Sequence, residues 1–369
     1  MISWRWRGAG GEECPRTPNP HERGNTVPEI LNTLYIATDG TYLHLDHDTV
    51  RVEQERETVL RVPLLQLGAV VCFGNVLVSP SLMHRCADDG RAMIWLDRNG
   101  RFKARLEGPV SGNVLLRRAQ YDALTDADAS REIARCCAAA KLQNCRHVLL
   151  RAAREATDPA DADPLRAAGA AIAAEIRSIA QCGTTDSLRG HEGNAAREYF
   201  AVFDRMVRHD RDAFAPRGRS RRPPRDRMNA LLSFLYTLLL ADCVAAVAGV
   251  GLDPQIGFLH VLRPGRPALG LDLLEEFRAP VADRLALSLV NRRQLGRGDF
   301  DEQAGGAVYL SDAGRKTVIV AYQERKKEDV AHPFLHRKVP VGLLPHVQAR
   351  LLARHLRGDL THYPAFVVR

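Results

Sequence analysis

Three acidic residues and one histidine lie close together in the stretch 257–280, GFLHVLRPGRPALGLDLLEEFRAP. His260 follows a short apolar run, and Asp272, Glu275 and Glu276 stand among leucines after an Arg-Pro-Gly turn. Asp272 and Glu275 are three residues apart, so on a helix their carboxylates share a face and can converge on one cation. Acids beside a buried face are costly unless a positive group neutralises them. From this stretch alone, the positive partner of the acids is either an arginine in a structural ion pair or a metal ion. The ion pair is the commoner case.

A third carboxylate comes from Glu192, in the segment EGNAAREYF, where we predict a helix over 192–209. An acid in the first turn complements the helix dipole, which is an ordinary structural role. Together with His260 and Glu275, Glu192 would instead form a mixed carboxylate and imidazole set on three separate helical segments. Such a set suits Mg²⁺ or Mn²⁺ better than structural zinc, because hard oxygen ligands dominate. A hard divalent ion serves phosphodiester chemistry by offsetting phosphate charge and activating a hydroxyl nucleophile.

A basic segment precedes the most apolar helix of the chain. Between residues 217 and 227 there are six arginines and one acid, Asp226. The arginines are Arg217, Arg219, Arg221, Arg222, Arg225 and Arg227. The planar guanidinium binds phosphate bidentately, so we interpret this segment as a DNA-binding loop; a solvated charged loop is the alternative. Asp226 can cap a helix over 226–249, which is apolar nearly all round and is therefore predicted to be buried.

The secondary structure that must hold these residues is predicted to change once along the chain, from strands to helices. Short runs rich in β-branched and aromatic residues predict strands between residues 31 and 106. Asp39-Gly40 and Asn99-Gly100 are hairpin signals, and Ser79-Pro80 begins a helix that ends near Gly90. From residue 114 onward the apolar spacing is helical. The predicted helices cover 114–124, 128–155, 162–181, 192–209, 226–249, 271–290 and 342–356, and two further strands are predicted at 307–310 and 317–321.

We therefore predict an α+β protein with three parts. Residues 1–28, which are rich in glycine, proline and charge, form a disordered extension. Residues 29–110 form a small N-terminal β-sheet domain. Residues 111–369 form a larger all-α C-terminal domain, which carries the candidate catalytic residues.

Composition narrows the class of protein. The chain has 369 residues, 45% of them hydrophobic and 26% charged, which is typical of a soluble protein with a core. The net charge of +8 favours a polyanionic partner only weakly. Eight cysteines without C-x-x-C spacing indicate reduced thiols, so we expect a cytoplasmic protein. The longest uncharged run, 228–241, is too short to span a bilayer, and we expect no membrane contact.

Four segments together resemble the universal integrase of CRISPR spacer acquisition. They are LNTLYI at 31–36, GHEGNAAREYF at 190–200, RRPPRDRMNALLSFLYTLLL at 221–240 and DPQIGFLHVLRPGRPALGLDLLEEFR at 253–278. The resemblance covers residues 30–369, and the LNTLYI start and the length are most similar to the type I-C subfamily. The ordered set is specific to this family, whereas any single segment is not.

The resemblance implies an assembly as well as a fold. The family combines an N-terminal β-sheet domain with a helical C-terminal domain and forms homodimers. Two such dimers hold a dimer of a small ferredoxin-like partner, giving a hetero-hexamer that works on DNA. By the same resemblance, the metal ligands are Glu192, His260 and Glu275, with Asp272 at a second acidic position that assists in some members. The choice between Glu275 and Asp272 as the direct ligand stays open.

The implied activity is that of a metal-dependent DNA endonuclease and integrase. The 3′-hydroxyl of a captured DNA fragment attacks a phosphodiester of the CRISPR repeat, with Mg²⁺ or Mn²⁺ at Glu192, His260 and Glu275. The arginines of 217–227, with Arg117 and Arg118, would hold DNA phosphates. Two other classes remain open: a catalytically silent DNA-binding scaffold, and a metal-dependent phosphohydrolase of small molecules.

Overall fold

The computed structural model of the chain describes residues 32–108, 114–216 and 218–368. The predicted disordered extension over 1–28 and the side chain of Arg217 therefore lie outside the described residues. The described part begins with strands, continues with helices, and is mostly helical from Val114 onward. The predicted order of a β-sheet region followed by a helical region is confirmed.

The N-terminal part forms two four-stranded sheets within residues 32–108. Its elements are β1 (Asn32–Ile36), β2 (Tyr42–Asp46), β3 (Thr49–Gln54), β4 (Glu57–Pro63), β5 (Leu67–Phe73), β6 (Leu77–Val78), α1 (Pro80–Asp88), β7 (Ala92–Leu96) and β8 (Phe102–Arg105). One sheet has the order β1-β5-β7-β8 and the other β4-β3-β2-β6. Ser79 caps α1, as predicted, through a bond from the Leu82 amide to its hydroxyl.

The later part is built from helices, with two short antiparallel ribbons. The helices are α2 (Val114–Thr125), α3 (Ala127–Glu155), α4 (Pro159–Ala180), α5 (Thr185–Ala201), α6 (Arg211–Phe214), α7 (Arg227–Gly249), α8 (Ala268–Glu275), α9 (Arg284–Asn291), α10 (Asp312–Lys327) and α11 (Leu344–Leu356). The ribbons pair β9 (Phe300–Glu302) with β10 (Val308–Leu310), and β11 (Asp329–His332) with β12 (Arg337–Pro340). The C-terminal part is thus mostly helical rather than entirely so.

Strand β5 explains how the sheet joins the helices. Its apolar residues alternate between two cores: Val70 and Cys72 face the second sheet, whereas Val71 and Phe73 join the helical core. The Phe73 ring lies 5.7 Å from that of Phe234 on α7. A strand buried on both faces needs a continuous apolar run, which is the pattern found at 69–73.

Two strand predictions were wrong. Asp39-Gly40 does turn the chain, but β1 pairs in parallel with β5 instead of forming a hairpin with β2. The turn residues specify only the local reversal, while burial on both faces selects the partner strand. Residues 317–321 lie inside helix α10, which Ser311 caps. Val318, Ile319 and Tyr322 are buried at helical spacing, so the tertiary contacts override the β preference of the valines.

Two helix predictions need correction. Helix α5 begins at Thr185, with Thr184 as its cap, and not at Glu192. Gly190 and Gly193 both lie inside this helix. The predicted helix over 271–290 is divided: α8 ends at Glu275, a π-helical turn covers Arg278–Asp283, and α9 follows. Pro280 accounts for the interruption, because its ring removes a donor and blocks the regular α-helical ladder.

Helix α7 is the centre of the helical core. Asp226 caps it, as predicted, by accepting a hydrogen bond from the Asn229 amide. Among the described residues it is the one helix long and apolar enough to cross a membrane. Its buried residues lie all around the helix and include Leu231, Leu232, Phe234 and Leu238. Burial against the other helices accounts for its hydropathy.

Candidate active site

The carboxylate of Asp272, on α8, organises the loop that carries His260. Its oxygens accept hydrogen bonds from three successive backbone amides: Phe258 at 2.6 Å, Leu259 at 3.0 Å and His260 at 2.9 Å. Gly257 lets this loop approach so closely, since a Cβ there would lie 2.7 Å from the Asp272 Oδ2 atom. His260 is thus in an irregular loop held against α8, and not in a helix as predicted.

The same carboxylate orients the His260 ring. The Nδ1 atom of His260 donates to Asp272 Oδ1 at 2.7 Å. Because a carboxylate only accepts, Nδ1 carries a proton, and in the neutral ring the lone pair is therefore on Nε2. Nε2 lies 3.8 Å from Glu275 Oε1. His260 therefore presents a free ligand nitrogen towards Glu275.

Glu275, the last residue of α8, is buried between two cations. Its Oε2 atom lies 2.7 Å from Lys141 Nζ, and both of its oxygens accept from Arg278, at 3.0 and 3.1 Å. Burial alone would raise the pKa of Glu275, but the charges of Arg278 and Lys141 overcome it and hold that pKa well below its usual range. The Glu275 carboxylate is consequently ionised.

Glu192 reaches the same place from helix α5. Its carboxylate contacts the ammonium of Lys141, which lies on α3. Arg189, almost one helical turn earlier, donates from Nε to the carbonyl of Leu259 at 2.6 Å and so ties α5 to the loop before His260. Since α5 begins at Thr185, Glu192 lies in mid-helix, and the dipole role considered for a first-turn acid does not apply.

The structure thus brings Glu192 and Glu275 together at one positive charge, with His260 beside Glu275. Burial lowers the pKa of Lys141, but Glu275 and Glu192 more than compensate, so that its net pKa is raised. Two carboxylates and the Nε2 nitrogen of a histidine form a donor set that suits a divalent ion. The Lys141 ammonium marks where the two carboxylates hold positive charge. As the side chains are placed, no three His, Cys, Asp or Glu residues of the described part form a metal-binding group. The three-ligand set stays a prediction.

A polar network of Arg278, Tyr236, Tyr199 and Asp283 adjoins this site. The Arg278 guanidinium lies over the Tyr236 ring, 4.5 Å from its centroid. Tyr236 and Tyr199 donate their hydroxyls to Asp283, at 2.5 and 3.0 Å. Burial raises the pKa of Asp283. Both tyrosines therefore hold Asp283 in place, and Tyr236 also contacts Arg278.

The arginines of 219–227 differ from one another in their surroundings. Arg219 turns inward: it donates to Asn229 Oδ1 at 2.6 Å and lies over the rings of Tyr236 and Phe200. Burial lowers its pKa to about 10, so it stays charged at neutral pH. Arg227 is half-buried and binds Glu302 at 2.5 Å. The exposed arginines of this loop are Arg221, Arg222 and Arg225.

An open groove of about 620 Å³ runs between this loop and helix α5. Gly193, Phe200, Arg197, Arg219 and Arg221 are among its lining residues. Gly193 follows Glu192 in the sequence, but Glu192, His260 and Glu275 are not among the residues that line the groove. Of the two other arginines considered, Arg117 donates to the Gly251 carbonyl at 3.2 Å, and Arg118 is exposed with Asp122 at 3.7 Å.

Three residues of the candidate site were not predicted from the sequence: Lys141, Arg189 and Arg278. Lys141 had the clearest signal, because it is a lone lysine on the alanine-rich face of a predicted helix, where a charge needs a buried partner. Arg278 lay within the conspicuous stretch 257–280 but beyond its acids. Arg189 had no signal, since its partner is a backbone carbonyl of a distant segment.

The family model for CRISPR associated protein Cas1 matches residues 34–324. A CRISPR-associated endonuclease Cas1 of Moorella thermoacetica is 56% identical over 340 residues, which cover 92% of this chain and 99% of that protein. The family match over residues 34–324 extends over the sheets as well as the helices, and the candidate site lies within that range.

Two solved structures share the fold. A Cas1 protein from Thermotoga maritima superposes with a TM-score of 0.77 at 25% identity, covering 89% of this chain and 97% of that one. A chain of a Cas6-RT-Cas1–Cas2 complex gives a TM-score of 0.76 at 22% identity, covering 92% of this chain and 36% of that one. With the family match and the high identity to the Moorella protein, these comparisons show that the chain belongs to the Cas1 family of CRISPR-associated proteins.

Proposed function

We propose that this chain is a metal-dependent DNA endonuclease and integrase, which inserts captured DNA fragments as spacers into a CRISPR array. One observation carries the proposal: in a chain 56% identical to a CRISPR-associated endonuclease, Glu192 and Glu275 meet at one cation, and His260 presents Nε2 beside them. The groove between helix α5 and the basic loop, which Arg197, Arg219 and Arg221 line, would hold a nucleic-acid strand.

Each residue of the site has a distinct role in this proposal. Glu192, Glu275 and the Nε2 atom of His260 would hold Mg²⁺ or Mn²⁺. Asp272 would not be a direct ligand, because its oxygens are already taken by three amides and the His260 ring; it positions His260 instead. When bound, a divalent ion offsets charge on the phosphate oxygens and lowers the pKa of the attacking hydroxyl.

The reaction is a transesterification of DNA. The 3′-hydroxyl oxygen of the captured fragment forms a bond to the phosphorus at the repeat boundary. The original P–O bond breaks, its oxygen leaves with a proton, and the number of phosphodiester bonds is unchanged. With water as the nucleophile, the same site would hydrolyse branched DNA.

DNA phosphates would lie along the basic loop. Arg221, Arg222 and Arg225 are exposed, so their guanidinium groups can reach phosphates. Arg217 belongs to the same proposal by its place in the sequence. Arg219 and Arg227 already bind Asn229 and Glu302, and their contribution would be to hold the loop in position.

The partners are proposed from the resemblance to the family. We propose a homodimer, two copies of which bind a dimer of a small ferredoxin-like adaptation protein in a hetero-hexamer. The shared fold with a chain solved in a Cas1–Cas2 complex supports an adaptation partner. We also propose the type I-C subfamily, on the strength of the segment LNTLYI, and a cytoplasmic location.

The test measures cleavage of a branched DNA substrate by the full chain in Mn²⁺. Glu192→Ala and His260→Ala should each reduce the rate by at least about 100-fold, the upper end of what loss of an outer partner of a metal ligand costs. Glu175→Ala is the matched control: its carboxylate is as exposed as that of Glu192 and binds His191 of α5 at 2.6 Å, away from Lys141. If the wild type, the two site variants and the control all cleave at the same rate, the site assignment is wrong.

A further inference from the structure

Lys141 is a buried cation at the junction of three helices. Its side chain, on α3, is only 8% exposed. The ammonium contacts Glu192 of α5 and lies 2.7 Å from Glu275 of α8. These carboxylates come from helices that are distant in sequence, and Lys141 is the cation that both of them bind.

Electrostatics explains why Lys141 bridges the carboxylates of Glu192 and Glu275. Two ionised carboxylates that approach one another in a partly desolvated site repel, and each loses hydration. A positive charge between them compensates for both costs. The metal ion of the proposed function would satisfy the same two carboxylates, so the ammonium and the ion make alternative use of the same oxygens.

We propose that Lys141 is a positioning residue that holds Glu192 and Glu275 together in the metal-free protein and yields those carboxylate oxygens to the divalent ion. This inference rests on the proposed metal site and adds to it a built-in counter-cation. It also gives a direction of entry: Glu192 is 23% exposed whereas Glu275 is buried, so the ion reaches the Glu192 side first.

Arg278 makes the exchange feasible. It binds both oxygens of Glu275, at 3.0 and 3.1 Å, independently of Lys141. Glu275 therefore keeps one cationic partner when the lysine withdraws. Glu192 has no such second partner among the residues that the structure describes, so its carboxylate depends on Lys141 until the ion arrives.

The test compares the affinity for Mn²⁺, by isothermal titration calorimetry, and the Tm in EDTA of wild type and Lys141→Met. Methionine has a similar shape but no charge, so it removes the competitor and leaves two carboxylates without compensation. We expect Mn²⁺ to bind on the order of tenfold more tightly, a coupling of ordinary size. We also expect a lower Tm in EDTA and a larger rise of the Tm on adding Mn²⁺.

Lys326→Met is the matched control. Lys326 is buried to the same extent, with 8% of its side chain exposed, and it lies 3.0 Å from Asp242. Its loss should lower the Tm while Mn²⁺ affinity stays that of wild type. If Lys141→Met is poorly soluble, Lys141→Gln takes its place with the same expectations.

The outcomes separate this inference from the proposed function. If wild type does not bind Mn²⁺, or if His260→Ala binds it equally well, the metal site itself is wrong. If wild type binds Mn²⁺ and loses affinity in His260→Ala, but Lys141→Met binds no more tightly, the competition by Lys141 is refuted.

Discussion

The Nδ1 atom of His260 donates a hydrogen bond to Asp272 Oδ1 at 2.7 Å, and the backbone amide of His260 donates to the same oxygen at 2.9 Å. One buried carboxylate therefore sets both the position of the loop and the tautomer of the ring. The consequence is that Nε2 is available as a ligand beside Glu275. This relationship distinguishes the two acids of α8, since Asp272 orients the histidine while Glu275 remains for the cation.

Asp272→Asn should change the histidine tautomer. The new amide group can donate to Nδ1, which moves the imidazole proton to Nε2 and removes the lone pair that faces Glu275. We expect Mn²⁺ affinity to fall about 10–100-fold, as for other partners that orient a ligand. Calorimetry gives the affinity, and ¹⁵N NMR of the histidine ring reports the tautomer.

The control for this variant is Asp253→Asn. Asp253 is a loop residue whose carboxylate, like that of Asp272, accepts from a backbone amide and from a side chain: the Gln255 amide at 2.8 Å and the Tyr121 hydroxyl at 2.9 Å. It makes no contact with His260, so its substitution should leave Mn²⁺ affinity and tautomer unchanged. An Asp272→Asn protein with the wild-type tautomer and affinity would contradict the assigned role.

Glu276 should make stability depend on pH. It is fully buried beside the C-terminal segment, where Gln348 and the Phe366 amide donate to it at 2.8 and 2.6 Å, and burial raises its pKa to about 7. Because this pKa lies above the ordinary value of an unfolded glutamate, the native state binds the proton more tightly. The stabilisation is complete below about pH 4.3 and is lost as the pH rises through 7.

The loss amounts to about 4 kcal/mol in the free energy of unfolding between these limits. Urea unfolding at a series of pH values measures it in wild type and in Glu276→Gln, whose amide does not titrate. Between pH 5 and 8, we expect the free energy of unfolding of the wild type to decline relative to that of Glu276→Gln. Parallel pH profiles of the two proteins would rule out the raised pKa.

Replacing the three exposed loop arginines should weaken DNA binding in a salt-dependent way. Each phosphate contact contributes about 0.9 to the slope of log K against log salt concentration, so the triple variant of Arg221, Arg222 and Arg225 to alanine should reduce the slope by up to roughly 3. Affinities for duplex DNA between 50 and 200 mM salt, the range over which about 10³-fold changes occur, provide the measurement.

The control removes three exposed arginines in and directly after α11, namely Arg350, Arg354 and Arg357. It lowers the net charge equally but leaves the groove intact. If the slope of log K against log salt concentration falls equally in both triple variants, the net charge of the protein accounts for the binding and the loop does not.

The sequence by itself determined the order of a β region and a helical region, and the central helix α7. The reason is that these features follow from local periodicity and from capping residues such as Ser79 and Asp226. It also placed His260, Asp272 and Glu275 in one short stretch, and the resemblance to the integrase family added Glu192.

Only the tertiary structure decided how these residues meet. The Lys141 bridge joins three helices. Asp39-Gly40 turns the chain, but β1 pairs in parallel with β5 and not in a hairpin with β2. Asp272 and Glu275 look equivalent in sequence, yet one faces the His260 loop and the other faces Lys141 and Arg278. Local periodicity specifies which side of a helix is buried, whereas the partner on that side depends on packing between segments that are far apart in the chain.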